Sequence, residues 1–344
     1  LEGRGENVLS KQQNLKFIWI TVLAVLLITF FVSLFGGRYV ISPYEVSGIL
    51  LDGLLGEAGD GMAYSVVWNL RLPRTLLNCF VGAGLAVAGA AFQGIFRNPL
   101  VSPDVLGVSS GAAFGAALGI LLSGMNHLAT VMALLFGIVS VVMTYTLSKL
   151  RGESSTLSLV LSGMIISAVF SALISLIKYV ADPYDKLPAI TYWLMGSFAS
   201  ASYSNLQLAG IPIFLGTVVL LLLRWRINIL SLGDEDAYSL GVNPVKTRRV
   251  IIIMATLITA SCVTVTGVIG WVGLVIPHIC RMLIGVDHMK LLPVSCVVGA
   301  AFMIIVDLIA RTVTAAEIPI GILTALVGAP FFALLFKRAK GDWQ

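Results

Sequence analysis

From Phe17 to Phe35 the chain runs 19 residues without a charged side chain. About 20 apolar residues in a helix cross the roughly 30 Å hydrocarbon core of a bilayer. The first run occupies roughly 17–36, and comparable runs follow at 75–96, 105–123, 128–148, 156–178, 206–223 and 249–268. A shorter one lies near 272–286, interrupted by Pro277, His278 and Arg281, and two more cover 291–311 and 322–337. Backbone in lipid must satisfy its own hydrogen bonds, which leaves helices or closed barrels. The alternation of a barrel strand is absent, so the expected fold class is all-α: a polytopic membrane protein with about ten transmembrane helices. Composition agrees, with 58% hydrophobic and 11% charged residues and a mean hydropathy of +0.97. Soluble domains carry about 25% charged residues, and this chain could not coat a soluble core of its size. We expect one transmembrane domain over 17–340, preceded by a cytoplasmic tail at 1–16 whose polar opening, Leu1–Ser10, is partly a cloning remnant. The first apolar run has no small-residue cleavage site after it and reads as a retained span, not a signal peptide.

Ten spans place both termini on one side, and the positive-inside rule selects it. Of 22 Lys and Arg, only Arg38, Arg71, Arg74, Lys178, Lys186 and Arg311 fall on the other side, so both termini are expected in the cytoplasm. Basic residues at the ends of apolar runs also argue against a nucleic-acid surface. The outer segment Ala181–Ser204, with Tyr184, Tyr192 and Trp193, is expected to hold a short interfacial helix. Gly111, Gly115 and Gly119 recur every four residues, and Gly82 to Ala91 is crowded with small residues. Such stripes let helices approach closely in lipid. Cys79, Cys262, Cys280 and Cys296 have no paired spacing and read as packing residues. No internal repeat is evident.

Chemistry-bearing patterns are few. The chain has no Walker A pattern and no H-E-x-x-H, and His127, His278 and His288 are far apart. Asp307 stands one helical turn before Arg311, a spacing that pairs them on one face. The inner segment at about 228–247 is too patterned for a plain linker. Leu232 to Gly241 reads as a short helix with acids at its N-terminal end, where the helix dipole favours them. Gly241 is its stop, and Asn243-Pro244 starts another turn.

Five groups of residues occur in a telling order: Arg71-Leu72-Pro73-Arg74; Ala90 through Leu100, holding Gln93-Gly94 and Arg97-Asn98-Pro99-Leu100; Pro103 through Gly111; Gly273-Leu274-Val275-Ile276-Pro277-His278 with Arg281, Asp287-His288 and Leu291-Leu292-Pro293; and Glu317-Ile318-Pro319-Ile320-Gly321. In this order and spacing the chain, from about Leu70 to Phe336, closely resembles the FecCD-type permeases of ABC importers, which take up ferric siderophores, haem and cobalamin. The resemblance implies a type II importer permease fold in a bacterial or archaeal cytoplasmic membrane. It implies a homodimer or a pair of related permeases, two cytoplasmic ATPases that hold ATP and Mg, and an extracytoplasmic substrate-binding protein. This chain itself would hold no cofactor and perform no catalysis. By the same resemblance Gly233, Asp234, Glu235, Ala237, Tyr238, Leu240 and Gly241 couple to the ATPase. Thr156, Leu157 and Val160 form the cytoplasmic gate, Leu157 standing where a small hydroxyl residue is expected. Arg71 and Arg311 present salt-bridge anchors to the binding protein. A ferric siderophore is the first expectation for cargo, with haem and cobalamin as alternatives. A secondary transporter or channel is the runner-up, set back by the lack of a carboxylate relay.

Overall fold

The computed structural model describes residues 2–56, 59, 61–149 and 156–338. Arg151 and Lys340, used in the charge balance above, lie outside the described residues, as does the end of the 17–340 segment. Fifteen α-helices are present among the described residues, with no strand: α1 (Glu2–Phe35), α2 (Pro43–Leu55), α3 (Met62–Tyr64), α4 (Leu72–Phe96), α5 (Val108–Ser123), α6 (His127–Ser148), α7 (Thr156–Val180), α8 (Lys186–Leu194), α9 (Tyr203–Leu222), α10 (Arg224–Leu230), α11 (Asp234–Ser239), α12 (Pro244–Thr266), α13 (Val272–Ile284), α14 (His288–Thr312) and α15 (Ile320–Arg338). Among the described residues, seven helical stretches are long and apolar enough to cross a membrane: Leu15–Phe35 of α1, Met62–Phe96, α6, α7, α9, α12 and α14. The shorter apolar helices α5, α13 and α15 complete the ten expected spans. α1 reaches back to Glu2, so residues 2–16, expected as a tail, continue the first span as helix.

The bundle turns on α4, which is buried along most of its length. It runs antiparallel to α14, with Arg74 against Asp307, Gly82 against Gly299 and Gly94 against His288. A Cβ at Gly82 would come within 2.2 Å of the Gly299 carbonyl oxygen, so only glycine lets these backbones touch. The stripe Gly111, Gly115 and Gly119 does the same for α5 against α6, where added Cβ atoms would meet Phe136 O, Met132 O and Ala129 Cα. The small-residue stripes are thus intrachain helix contacts.

Two of the shorter apolar helices, α5 and α13, each follow a stretch of re-entrant backbone. After α4 the chain turns at Arg97, left-handed at φ 51°, and re-enters through a 3₁₀ turn at Pro103–Leu106 before α5 begins. After α12 it turns at Gly267, φ 70°, and descends as non-helical backbone to α13. The two re-entries run in opposite directions and meet: a Cβ on Gly273 would lie 2.6 Å from Pro103 Cδ. Irregular backbone at membrane depth is tolerated where protein covers it.

The motif Arg71-Leu72-Pro73-Arg74 lies inside the continuous helical stretch Met62–Phe96 and does not begin it. Ser65–Arg71 is a π-helical segment continuous with α3 and α4. Leu72 N–H bonds Val67 O in the i→i−5 pattern, and the next such bond would run from residue 73 to Trp68 O. Pro73 has no N–H to give, and the Tyr203 hydroxyl donates to Trp68 O instead, at 2.8 Å. α2 and this extension were not legible beforehand, whereas the interfacial helix expected within Ala181–Ser204 appears as α8.

Candidate functional site

Polar chemistry gathers at the two ends of the bundle. At the end where α1 and α14 finish and α4 starts, Arg74 is the hub. Its Nε and Nη2 donate to both oxygens of Asp307 at 2.8–3.1 Å, and its Nη1 and Nη2 donate to Glu317 at 2.9 and 2.8 Å. One planar guanidinium thus ties α4, α14 and the 313–319 loop with two bidentate pairs. Asp307 is fully buried. Glu317 lies outside the spans, and its hydrogen bonds from Arg74 hold its carboxyl below the usual carboxylate range.

The sequence reading paired Asp307 with Arg311. That pair is secondary, at 3.6 Å. Arg311 gives its Nη2 to Ser33 O and Ser33 Oγ at the end of α1, and Ser33 Oγ meets Thr75 Oγ1 at 2.8 Å. Arg71 donates to Leu34 O at 3.0 Å, Phe35 O at 3.2 Å and Tyr39 O, so it caps the bare carbonyls at the C-terminus of α1. The two arginines converge on Gly37, where a Cβ would lie 2.7 Å from Arg71 Nη2 and 3.5 Å from Arg311 Nη1. Neither is a free arm: Arg71 is 5% exposed and Arg311 8%. Near them, Arg38 is exposed and donates to Thr314 O and Ala315 O.

At the opposite end, α11 matches the short helix expected from Leu232 to Gly241. Gly241 takes φ 77°, and Val242 N–H bonds Ala237 O while Gly241 N–H bonds Tyr238 O; this is a Schellman stop. Asn243 Oδ1 accepts from Lys246 N–H and Pro244 occupies the first turn, so this pair opens α12 itself and not a separate turn. Arg248 on α12 grips Asp234 at 2.8 and 3.4 Å. Of the expected coupling residues, Glu235, Tyr238, Leu240 and Gly241 are exposed, whereas Gly233 and Ala237 are buried against the bundle. The exposed face of α11 excludes those two because six residues are less than two turns, and one side must seat the helix.

The expected gate residues open α7. Leu157 is exposed and heads an apolar stripe through Leu161, Met164 and Ile165, while Val160 packs on the central core. Backbone hydrogen bonds knot three loops at the Arg74 end: Ser197 N to Thr266 O, Ile320 N to Gly196 O and Gly321 N to Met195 O. Beside them lies an apolar cavity of about 540 Å³, walled by Met195, Val268, Trp271 and Leu326 among others.

The sequence model described as the FecCD transport family matches residues 25–338. This chain belongs to the FecCD transport family. It is 43% identical over 316 residues to the molybdate import system permease protein MolB of Haemophilus influenzae, covering 92% of this chain and 94% of that one. It is 43% identical over 276 residues to a probable iron chelatin transport system permease protein of Helicobacter pylori, covering 80% and 83%. A solved structure described as an inward-facing conformation of a metal-chelate type ABC transporter superposes with a TM-score of 0.82 at 41% identity, over 94% of this chain and 99% of that one. The FecCD chain is thus a multi-pass permease subunit of an ABC importer, with the all-helical fold expected.

Two residues of this FecCD permease that sequence reasoning left without a role tie its re-entries together. Gln93 accepts from Arg281 Nη2 at 2.5 Å and donates to Val101 O at 3.3 Å and Gly273 O at 3.4 Å. Both stand in the motifs quoted above, but nothing in one sequence says that a glutamine on the second span meets an arginine on the eighth. Arg74 was missed for another reason. Arg311 offered an i, i+4 partner to Asp307, and local spacing concealed the long-range one.

Proposed function

We propose that this permease carries a metal chelate, a ferric siderophore first, into the cytoplasm by ATP-driven alternating access. The Arg74 end faces outward and the α11 end, with both termini, faces the cytoplasm; the positive-inside balance supports that orientation. The observation that carries the cargo class is the match, over nearly its whole length, to a permease described as metal-chelate type. Two permease copies rock as rigid bodies around a shared path, and the path binds cargo weakly because affinity resides in the separate binding protein. The cavity beside Trp271 supports a path with an apolar wall. A second reading, an oxyanion such as molybdate, is favoured by the likeness to MolB. Haem and cobalamin remain alternatives by family resemblance. The deciding experiment is uptake into vesicles holding the permease, its ATPase and its binding protein. ATP-dependent accumulation of a ferric siderophore is expected; accumulation of molybdate alone would refute the chelate reading.

The coupling role is assigned to the exposed face of α11. Ala237 is fully buried, so a bulky charge there would dislodge the helix and not test docking. Tyr238→Arg is the informative change, expected to lower substrate-stimulated ATP hydrolysis and uptake at least about tenfold, a loss of about 1.4 kcal/mol, with the melting temperature unchanged. Full coupling in that variant would remove the assignment. The gate is assigned to Thr156, Leu157 and Val160. Cysteines at Leu157 in two copies are expected to cross-link in one nucleotide state more than in another, and cross-linking indifferent to ATP would count against it.

The docking role for Arg71 and Arg311 is carried in this proposal in altered form. Being buried, they lend positive field and hold the rim, and a rim charge acts chiefly on association rate. Arg311→Gln keeps donors and removes the charge. It is expected to slow binding-protein association most at low salt, with the deficit shrinking as salt rises. Association unaltered at low salt would leave the two arginines a purely structural part.

A further inference from the structure

Helix α2 was not foreseen, and its surface is sorted in an unusual way. Val46 and Ile49 are buried with Leu34 of α1 and Val67 of the π segment, and Gly53 lies flat against the Trp68 ring, where a Cβ would come within 2.5 Å. Tyr44, Leu51, Leu54 and Leu55 are 60–90% exposed. Glu45 and Asp52 are exposed as well. At 3.6 residues per turn, Tyr44, Leu51 and Leu55 fall within about 40° of one another, about half a turn from the buried pair. The acids lie about a quarter turn to one side, and Leu54 lies to the other.

A helix that faced water on its free side would carry its charges opposite the buried stripe. Here that position is apolar and the acids are displaced sideways. The support beneath α2 indicates what lies there. α2 rests on α1, which exposes Leu27, Ile28 and Phe31 and is the least buried of the long spans. The direction away from the bundle at this flank is therefore into the bilayer. The level is the interface. Tyr39 and Tyr44 are exposed, and Tyr64 stacks on Trp68 close by, at a ring separation of 6.2 Å. Tyr and Trp concentrate at headgroup depth.

We propose that α2 is an interfacial anchor whose Tyr44, Leu51, Leu54 and Leu55 lie among lipid headgroups and upper acyl chains, with Glu45 and Asp52 turned to water. Insertion by apolar area holds such a helix a short way into the boundary region. Acids on the water side make anionic lipid unnecessary. The anchor fixes the loop Gly36–Ser42, into which Arg71 donates, at a set depth.

The test uses the full chain with its four native cysteines replaced, in vesicles of phosphatidylcholine and phosphatidylethanolamine at high lipid-to-protein ratio. Nitroxide labels go on cysteines at Leu51, Leu55 and Asp52, all exposed positions that leave the packed face untouched. The ratio of oxygen to nickel-chelate collision rates at Leu51 and Leu55 is expected to exceed that at Asp52 by about fivefold or more. Tyr44→Trp supplies an independent readout, quenching by lipids brominated high on the acyl chain. Equal ratios at the three positions, with Tyr44→Trp unquenched, would put the face in water and overturn the proposal. Spin–spin broadening that disappears on dilution with unlabelled protein would assign the face to a second copy. Shielding from nickel that appears only when the binding protein is added would assign it to that partner. Either result also overturns the lipid anchor, and neither depends on which cargo is carried.

Discussion

Arg74→Ala is expected to destabilise the permease by about 3–5 kcal/mol, the cost of leaving a buried charge without its partner. Asp307 has essentially no contact with solvent. With Arg74 gone, Arg311 is the nearest cation, yet its Nη2 is committed to Ser33 and its Nε stands 3.6 Å from the carboxylate. Glu317 loses its partner in the same step, which frees the 313–319 loop. Thermal unfolding in detergent should show the loss directly. Arg74→Lys should recover only part of it, because one ammonium cannot make two bidentate pairs on carboxylates from different segments. The triple change Arg74→Leu, Asp307→Leu, Glu317→Gln should be less damaging than Arg74→Ala alone, since removing all members of a buried ionic group is milder than removing one. If Arg74→Ala melted like the parent, the hub assignment would be wrong.

A second large effect is expected at Gly89. A Cβ built there would sit 1.8 Å from the Gly273 carbonyl oxygen. The obstacle is backbone, so no rotamer change can relieve it, and α4 must part from the start of α13. Overpacking costs about 1–3 kcal/mol and occasionally more, and Gly89→Val should fall at or above the top of that range. Gly48 on α2 is the control. It has nothing within 4 Å of a built Cβ, and replacing a mid-helix glycine by alanine gains about 0.5–1 kcal/mol. Gly48→Ala should therefore raise the melting temperature slightly, while Gly89→Val lowers it and abolishes uptake. A tolerated Gly89→Val would mean that α4 and the start of α13 are not in the contact described.

Much of the architecture was legible because lipid is an undemanding solvent to read against. A span must be apolar for about 20 residues and must close its own hydrogen bonds, so α1, α4, α6, α7, α9, α12 and α14 stand out as runs. The helix α11 was legible for local reasons: acids at its start, glycine at its stop, proline after it. α2 was not, because Glu45 and Asp52 broke its apolar pattern and no rule of spanning length applies to a helix that does not span. The half-length of α13 was only hinted at by Pro277, His278 and Arg281.

What required the folded chain was pairing over distance and the choice of face. Sequence spacing favoured Arg311 for Asp307, since i, i+4 neighbours are visible in one dimension. The antiparallel contact of α4 with α14 brought Arg74, 233 residues away, into a better bidentate geometry. Arg71 and Arg311 were expected as outward anchors, but whether their donors pointed outward or onto the carbonyls of α1 depended on where α1 finished. Ala237 falls on the expected short helix but on its seated face, because a six-residue helix has too few turns for periodicity to show which side is seated. Hydrophobicity and turn chemistry are properties of neighbours in sequence, and they settled the elements. Burial, ion-pair choice and backbone contact through Gly82, Gly89 and Gly299 are properties of neighbours in space, and they arise only when the helices have packed.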